Sequence, residues 1–331
     1  MSMEIFSWSA LSRPFTCLAP MEDVTDTVFR RIVAEAAPPD VFFTEFTSAD
    51  GLQSPGRDEV ATRLEFTEAE RPIIAQIWGA DPENFHRTAT ELVERGFDGI
   101  DINMGCPVEK ITKKGCCGAL CRDHGRASEM IHATVAGAGE LPVSVKTRIG
   151  YDAPDTETWC GFLLDHPIAA LTLHGRTVVQ QSEGPADWRE IATAVRLRDA
   201  SPTNTAIIGN GDVRERRQLG EHPRRWGVDG VMVGRGIFHD LYIFDRTGAL
   251  PHYQALPFRS KLDALARHVS LYEQVWDRRR NFHILKKFVK TYIAGFDGAA
   301  ALRNEMMQAT DYAELHEAIR VVGLQSDFTE G

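Results

Sequence analysis

Cys106 stands in DINMGCP (101–107), one residue before a proline, at the end of an apolar run. The other side chains able to do chemistry occupy the same kind of place: Gln76 in IIAQIW, Asn103 in DGIDINM, Lys146 and Arg148 in PVSVKTR, His174 in ALTLHG and Asn210 in AIIGNG. Pro20 and Met21 close the first such run, Glu45 the second, and Gly234 with Arg235 the last. Any one of these residues has a bland structural explanation, but eight runs ending alike do not. A thiol near its ordinary pKa of about 8.5 is protonated at neutral pH and can serve as a general acid. Gly105 permits a tight bend before it and Pro107 stiffens the loop after it. The amides of Gln76 and Asn103 match the donor and acceptor edge of a flavin ring. Lys146 suits the negative charge that develops at the N1–C2=O locus of such a ring. GNGD (209–212), with Asn210, Gly211 and Asp212, and VGRG (233–236) are glycine turns whose N–H groups can approach an anion. The set predicts FMN, with its phosphate on the last two turns. No GxGxxG follows an early strand, so a dinucleotide flavin is not expected. Cys106 then protonates the carbon beside the one that receives hydride, which is the chemistry of reducing a C=C bond conjugated to a carbonyl.

Those residues need a scaffold that collects strand ends. The runs TCLAP (16–20), VFFTEF (41–46), IIAQIW (73–78), DGIDINM (98–104), PVSVKTR (142–148), ALTLHG (170–175), AIIGNG (206–211) and DGVMVG (229–234) mostly alternate with helix-like stretches. Eight strand–helix alternations predict an α/β fold of the (β/α)8 TIM-barrel type, with the active site at the C-terminal rim of the strands. A doubly wound open sheet is the alternative and fits less well. PHYQALP (251–257) reads as a linker. Beyond it Leu262, Leu265, Val269 and Tyr272 form one helical stripe. The expected organisation is a barrel domain over 1–250 and a small all-helical domain over 258–331.

The chain of 331 residues is 43% hydrophobic, enough for a large core, and has a net charge of −10. That charge opposes indiscriminate nucleic-acid binding. Yet residues 259–303 hold ten basic and four acidic side chains, a local +6 that leaves −16 for the rest. Helical spacing predicts that Arg279, Lys286, Lys287 and Lys290 share a face that grips RNA phosphates. No apolar run is long enough to span a bilayer, and the N-terminal residues lack a signal-peptide layout, so a cytoplasmic protein is expected. The six cysteines are expected to be reduced thiols. Their spacing offers no CxxC and no paired histidines, so no metal is expected.

The motifs together resemble the dihydrouridine synthases, FMN enzymes that reduce uridine in tRNA. LAPMEDVTD (18–26), TEF (44–46), QIWG (76–79), NMGCP (103–107), SVKTRIG (144–150), LHGRT (173–177), QQSEGPADW (180–188), GNGDV (209–213) and VGRGIF (233–238) fall in the family's order. KKFVKTYIAGFDGAAALR (286–303) is similar to its C-terminal helical domain. KKGCCGAL (113–120) and the Ser182-Glu183 pair depart from the family's pattern. The resemblance implies that Cys106 gives a proton to uracil C5 while hydride reaches C6. It implies that Pro20, Met21, Gln76, Lys146, His174, Asn210, Gly211, Gly234 and Arg235 contact FMN. It places Asn103 against uracil and Arg148 and Arg176 near the substrate or flavin. NADPH is implied as reductant and tRNA as partner, with the target uridine flipped out of its stack. A monomer is expected. A flavin reductase of a free pyrimidine or an enone would share the rim but would need no basic helical domain. An RNA-binding protein without chemistry would not need Cys106, Lys146 and His174. Ribosomal RNA is the alternative RNA substrate.

Overall fold

The computed structural model describes residues 5–296 and 298–326; Asp297 and the last five residues of the expected helical domain lie outside the described residues. Among the described residues nine strands form one parallel sheet: β1 (Phe15–Leu18), β2 (Phe42–Phe43), β3 (Thr47–Ser48), β4 (Ile73–Trp78), β5 (Gly99–Met104), β6 (Val143–Arg148), β7 (Ala170–His174), β8 (Ala206–Asn210) and β9 (Gly230–Val233). The order is β1-β9-β8-β7-β6-β5-β4-β2, with β3 added beside the end of β4. Leu18 N donates to Val41 O, and Val41 N donates to Thr16 O, each at 3.1 Å, which joins β2 to β1 and closes the ring. Helices such as Pro82–Glu94, His124–Ala138, Thr156–Leu164, Trp188–Asp199 and Gln218–Trp226 lie between successive strands in the chain. This is a TIM barrel, as the alternation of the sequence requires.

Strand alternation decides what enters the barrel. Phe15, Cys17, Val41, Phe43, Ile74, Ala170, Ala206, Ile208 and Met232 form one apolar cluster, with the Trp8 ring 5.7 Å from Phe15 and 6.2 Å from Phe43. Two residues further along the strands the same parity brings Gln76, Asp101, Asn103, Ser144, Lys146, Thr172, His174 and Asn210. The barrel therefore has an apolar floor beneath a polar mouth. Helix starts follow their capping residues. Asp81 accepts from Glu83 N at 3.0 Å with Pro82 next, and Asp123 accepts from Arg126 N at 3.0 Å.

The chain divides into two compact units, Met1–Thr27 with Pro39–Gly234, and Val28–Pro38 with Arg235–Gly331. Within the second unit Phe29 lies 4.8 Å from Phe288 and 6.0 Å from His268, and Arg267 pairs with Glu35 at 2.8 Å. Leu262, Leu265, Val269 and Tyr272 are all buried on the helix Phe258–Trp276. The PHYQALP segment is packed, since Tyr253 is 2% exposed and meets Tyr292 edge-on at 6.3 Å. No helix among the described residues is long and apolar enough to cross a membrane.

Candidate active site

The mouth is organised from β5. Asn103 Oδ1 accepts from the backbone N–H of Gly105 at 3.1 Å and of Cys106 at 2.9 Å. Asn103 Nδ2 donates to Gln76 Oε1 at 2.9 Å, and Gln76 Nε2 donates to Asp101 Oδ2 at 2.7 Å. The Ser144 hydroxyl donates to Asp101 Oδ1 at 2.6 Å. The amide oxygen thus holds the start of the cysteine loop, and the strand that carries Asn103 fixes where the loop begins.

Cys106 is half-buried. Burial pushes its thiol above the usual range; an N–H from Val108 and the charges of Arg148 and Lys146 oppose the shift, while Glu22 adds to it. The sulfur is a protonated thiol at neutral pH. The Lys146 ammonium makes no hydrogen bond or ion pair with any described residue. Burial, then the neighbouring Arg148, lowers its ammonium to about 8, against the pull of Asp101 and Cys106. Across the β6–β7 pairing its neighbour is Thr172, whose buried hydroxyl also has no partner among the described residues. Burial raises the Asp101 carboxyl to about 6, opposed by its hydrogen bonds from Ser144 and Gln76 and by Lys146.

The two arginines of the mouth are spent on its loops. Arg148, 6% exposed, donates to the carbonyls of Gly105 at 2.7 Å, Thr177 at 2.9 Å and Gln181 at 2.6 Å. Arg176, 3% exposed, donates to Gly184 O at 2.6 Å and to both oxygens of Asp212 at 2.8 and 2.7 Å. Its Nη1 lies 3.1 Å from His174 Nε2. A guanidinium only donates, so His174 accepts through Nε2 and carries its proton on Nδ1.

The glycine turns differ from one another. Gly211 has φ +129°, and a Cβ there would fall 2.5 Å from Ala186 Cβ, so its missing side chain makes room for the 183–186 loop. Asp212 faces Arg176 and the Ala186 N–H, not an open anion site. Its carboxyl lies below the usual range, because these hydrogen bonds outweigh burial. At Gly234 an added Cβ would find nothing nearer than Ala19 Cβ at 3.8 Å and Met21 Sδ at 3.9 Å. Asn210 Nδ2 donates to Met232 O at 2.9 Å, and Met21 N donates to Thr25 Oγ1 at 2.8 Å beside half-buried Pro20. Arg235 opens the second unit, exposed, on the short 3-10 turn Arg235–Phe238.

In that unit the basic residues do not form one face. Asp277 at φ 41° ends the first helix after Trp276, and Lys286–Tyr292 is a separate helix, so helical spacing cannot be carried from Arg279 to Lys286. Arg279 donates to Val275 O at 2.7 Å, Lys261 to Gln254 O at 2.7 Å, and Arg303 to Ile293 O at 2.9 Å. Lys286 donates to Met307 O at 2.8 Å. Lys287 and Lys290 are exposed, three residues apart on one helix.

A sequence profile described as Dihydrouridine synthase (Dus) matches residues 17–327. The chain belongs to the dihydrouridine synthase family. It is 43% identical to a probable tRNA-dihydrouridine synthase of Staphylococcus aureus, over 97% of this chain and 96% of that one. It is 43% identical to a probable tRNA-dihydrouridine synthase 2 of Bacillus subtilis, over 93% and 94%. Among solved structures, morphinone reductase shares the fold, with a TM-score of 0.52 and 12% identity over 76% of this chain and 92% of that one. This family member is therefore an oxidoreductase on a TIM barrel. Sequence reasoning passed over Asp101 and Ser144 in its mouth, and gave Thr172 a face but no role. Their signal was available, since each has the inward parity of Asn103, Lys146 and His174.

Proposed function

We propose that this family member uses NADPH, through FMN, to reduce the C5=C6 bond of particular uridines in tRNA, with Cys106 as proton donor to C5. The observation that carries the reading is a protonated, half-buried thiol, on a residue whose backbone N–H Asn103 holds, near a lysine ammonium that has no hydrogen-bond or ion-pair partner among the described residues. The residues present fit a flavin. Lys146 and the Thr172 hydroxyl are polar groups in the mouth that a ring could satisfy, and at Gly234 the backbone is not crowded, with Ala19 Cβ and Met21 Sδ no nearer than 3.8 and 3.9 Å to an added Cβ. Gln76, Lys146, His174 and Asn210 would hold the ring. Pro20, Met21, Gly211, Gly234 and Arg235 would line the ring and phosphate, and Asp212 acts through Arg176 on the loop between them. When bound, FMN supplies hydride to uracil C6. Asn103 faces the uracil, while Arg148 and Arg176 serve the substrate by fixing the loops beside it. Lys287 and Lys290 meet RNA phosphates, and Lys286 sets the helix they stand on.

The test is to incubate the protein and NADPH with unmodified total RNA and to map dihydrouridine by mass spectrometry. Dihydrouridine at defined tRNA positions is expected. Product from free uracil or uridine alone, or in ribosomal RNA alone, would overturn the tRNA reading.

A pH dependence follows from Lys146. Bound flavin stabilises the ammonium and raises a pKa that stands at about 8 in the free mouth. Below about 8 the lysine is charged with or without ligand, so affinity is flat. Above that pH the free form loses its proton first, and affinity weakens by up to about tenfold per pH unit. Fluorescence titration of flavin from pH 6 to 10 checks this. A flat profile in the parent, or an unchanged slope in Lys146→Met, would remove Lys146 from the contact.

A further inference from the structure

We propose that Asp101 is a positioning residue that sets the direction of a one-way hydrogen-bond relay, through Gln76 and Asn103, ending on the backbone of Cys106. The relay runs from Cys106 N–H to Asn103 Oδ1 at 2.9 Å, from Asn103 Nδ2 to Gln76 Oε1 at 2.9 Å, and from Gln76 Nε2 to Asp101 Oδ2 at 2.7 Å. Asp101 and Gln76 are fully buried and Asn103 is 7% exposed, so water does not compete for the inner links.

Direction is the issue because two of the three side chains are amides. A carboxamide turned by half a rotation exchanges donor for acceptor at little steric cost. An ionised carboxylate can only accept. With Asp101 at the base, Gln76 must offer its NH2 inward and its oxygen to Asn103. Asn103 must then offer NH2 to Gln76 and its oxygen to the loop. Reversing either amide sets donor against donor, or acceptor against acceptor, in a buried place. Ser144 donates to the other carboxylate oxygen at 2.6 Å and leaves Asp101 two acceptor bonds. The carboxyl of Asp101 stands at about 6, so it is mainly the anion at neutral pH.

The consequence reaches the mouth. Asn103 spends one N–H inside the relay, and its oxygen is used up by Gly105 and Cys106. What it has left for a ring is an N–H, which suits a carbonyl acceptor such as those of uracil and opposes an amino edge such as that of cytosine. This deepens the function proposed above and rests on it for the role of Cys106. The test needs neither RNA nor NADPH, so the two can fail separately.

A polarity swap on the full chain tests it. Asp101→Asn removes the acceptor-only anchor and lets both amides turn. Asn103→Asp puts a second carboxylate against Gln76 Oε1. Together, Asp101→Asn/Asn103→Asp restore a consistent relay in which Gln76 is reversed and Asp at 103 still accepts from the loop. Each single variant is expected to lower the thermal midpoint, and the double variant to recover most of the loss. Asp101→Asn is also expected to speed iodoacetamide alkylation of Cys106 by about three- to tenfold, as expected when one modest hydrogen bond is lost. If the singles do not fold, a double variant that does is the same rescue. Additive losses in the double variant, a double that fails to fold, or parental alkylation in Asp101→Asn would overturn the proposal.

Discussion

Replacing Cys106 with Ala is expected to lower uridine reduction by about 10²–10⁴-fold, the usual cost of losing a general acid. Flavin content and the reduction of flavin by NADPH should stay at the parent's level. The reason lies in what the thiol contacts. Its backbone N–H is held by Asn103 at 2.9 Å and its loop by Arg148 on Gly105 O at 2.7 Å, and neither bond uses the sulfur. The substitution removes a proton donor and leaves the loop in place. The sign of the pH effect is fixed as well. Burial holds the thiol above its usual range, so the acid is protonated through neutral pH. Reduction in the parent should be flat there and fall only on the alkaline side, and the variant should lose that limb. Stopped-flow measurement separates the two half-reactions. A variant slowed in the NADPH step, or one reoxidised by RNA at the parent's rate, would mean that the acid lies elsewhere.

The double variant Lys287→Glu/Lys290→Glu is expected to weaken tRNA binding strongly and to flatten its salt dependence. Two lost phosphate contacts remove about 1.4–1.8 from the slope of log affinity against log salt. Lys286 is left intact because its ammonium is bonded to Met307 O at 2.8 Å, and a carboxylate there would face a carbonyl. Phe288 and Tyr292, on the same helix as the lysines, are buried at 1% and 0% exposure, so binding is to phosphates and not by stacking on these rings. Flavin content and NADPH oxidation serve as controls. Binding with the parent's affinity and slope would place the RNA contact on another surface. In that case the exposed lysines of the cysteine loop, Lys110 and Lys114, are the next to replace.

The barrel and the gathering of polar side chains at its strand ends were legible in the sequence because both follow from short-range rules. A run such as IIAQIW is short, rich in β-branched and aromatic residues and bounded by Pro72 and Gly79, which reads as a buried strand, and β4 is Ile73–Trp78, the same six residues. Period two then assigns Gln76, Asn103, Lys146 and His174 to one side, and their places at the strand ends assign them to one rim. The glycine turns, the thiol before a proline and the order of the motifs are likewise local and needed no third dimension.

Other features depended on distance through space. The sequence could show that Arg148 and Arg176 stand near the rim, but not that carbonyls 29 to 43 residues away would take the donors of Arg148 or that Gly184 O and the Asp212 carboxylate would take those of Arg176. It could count ten basic residues in 259–303, but only packing shows Lys261 buried, Arg267 paired with Glu35 and the run broken at Asp277. Asp101 is the plainest case. On paper it is one acid among 47 acidic residues. Pairing of β5 between β4 and β6 sets it against Gln76 from one neighbouring strand and Ser144 from the other. Residue types and periodicity determine which side chains enter the barrel, because that depends on the chain's own geometry. Only the tertiary structure decides which of them spend their hydrogen bonds on one another and which keep them for a ligand, because that depends on partners the chain brings from elsewhere.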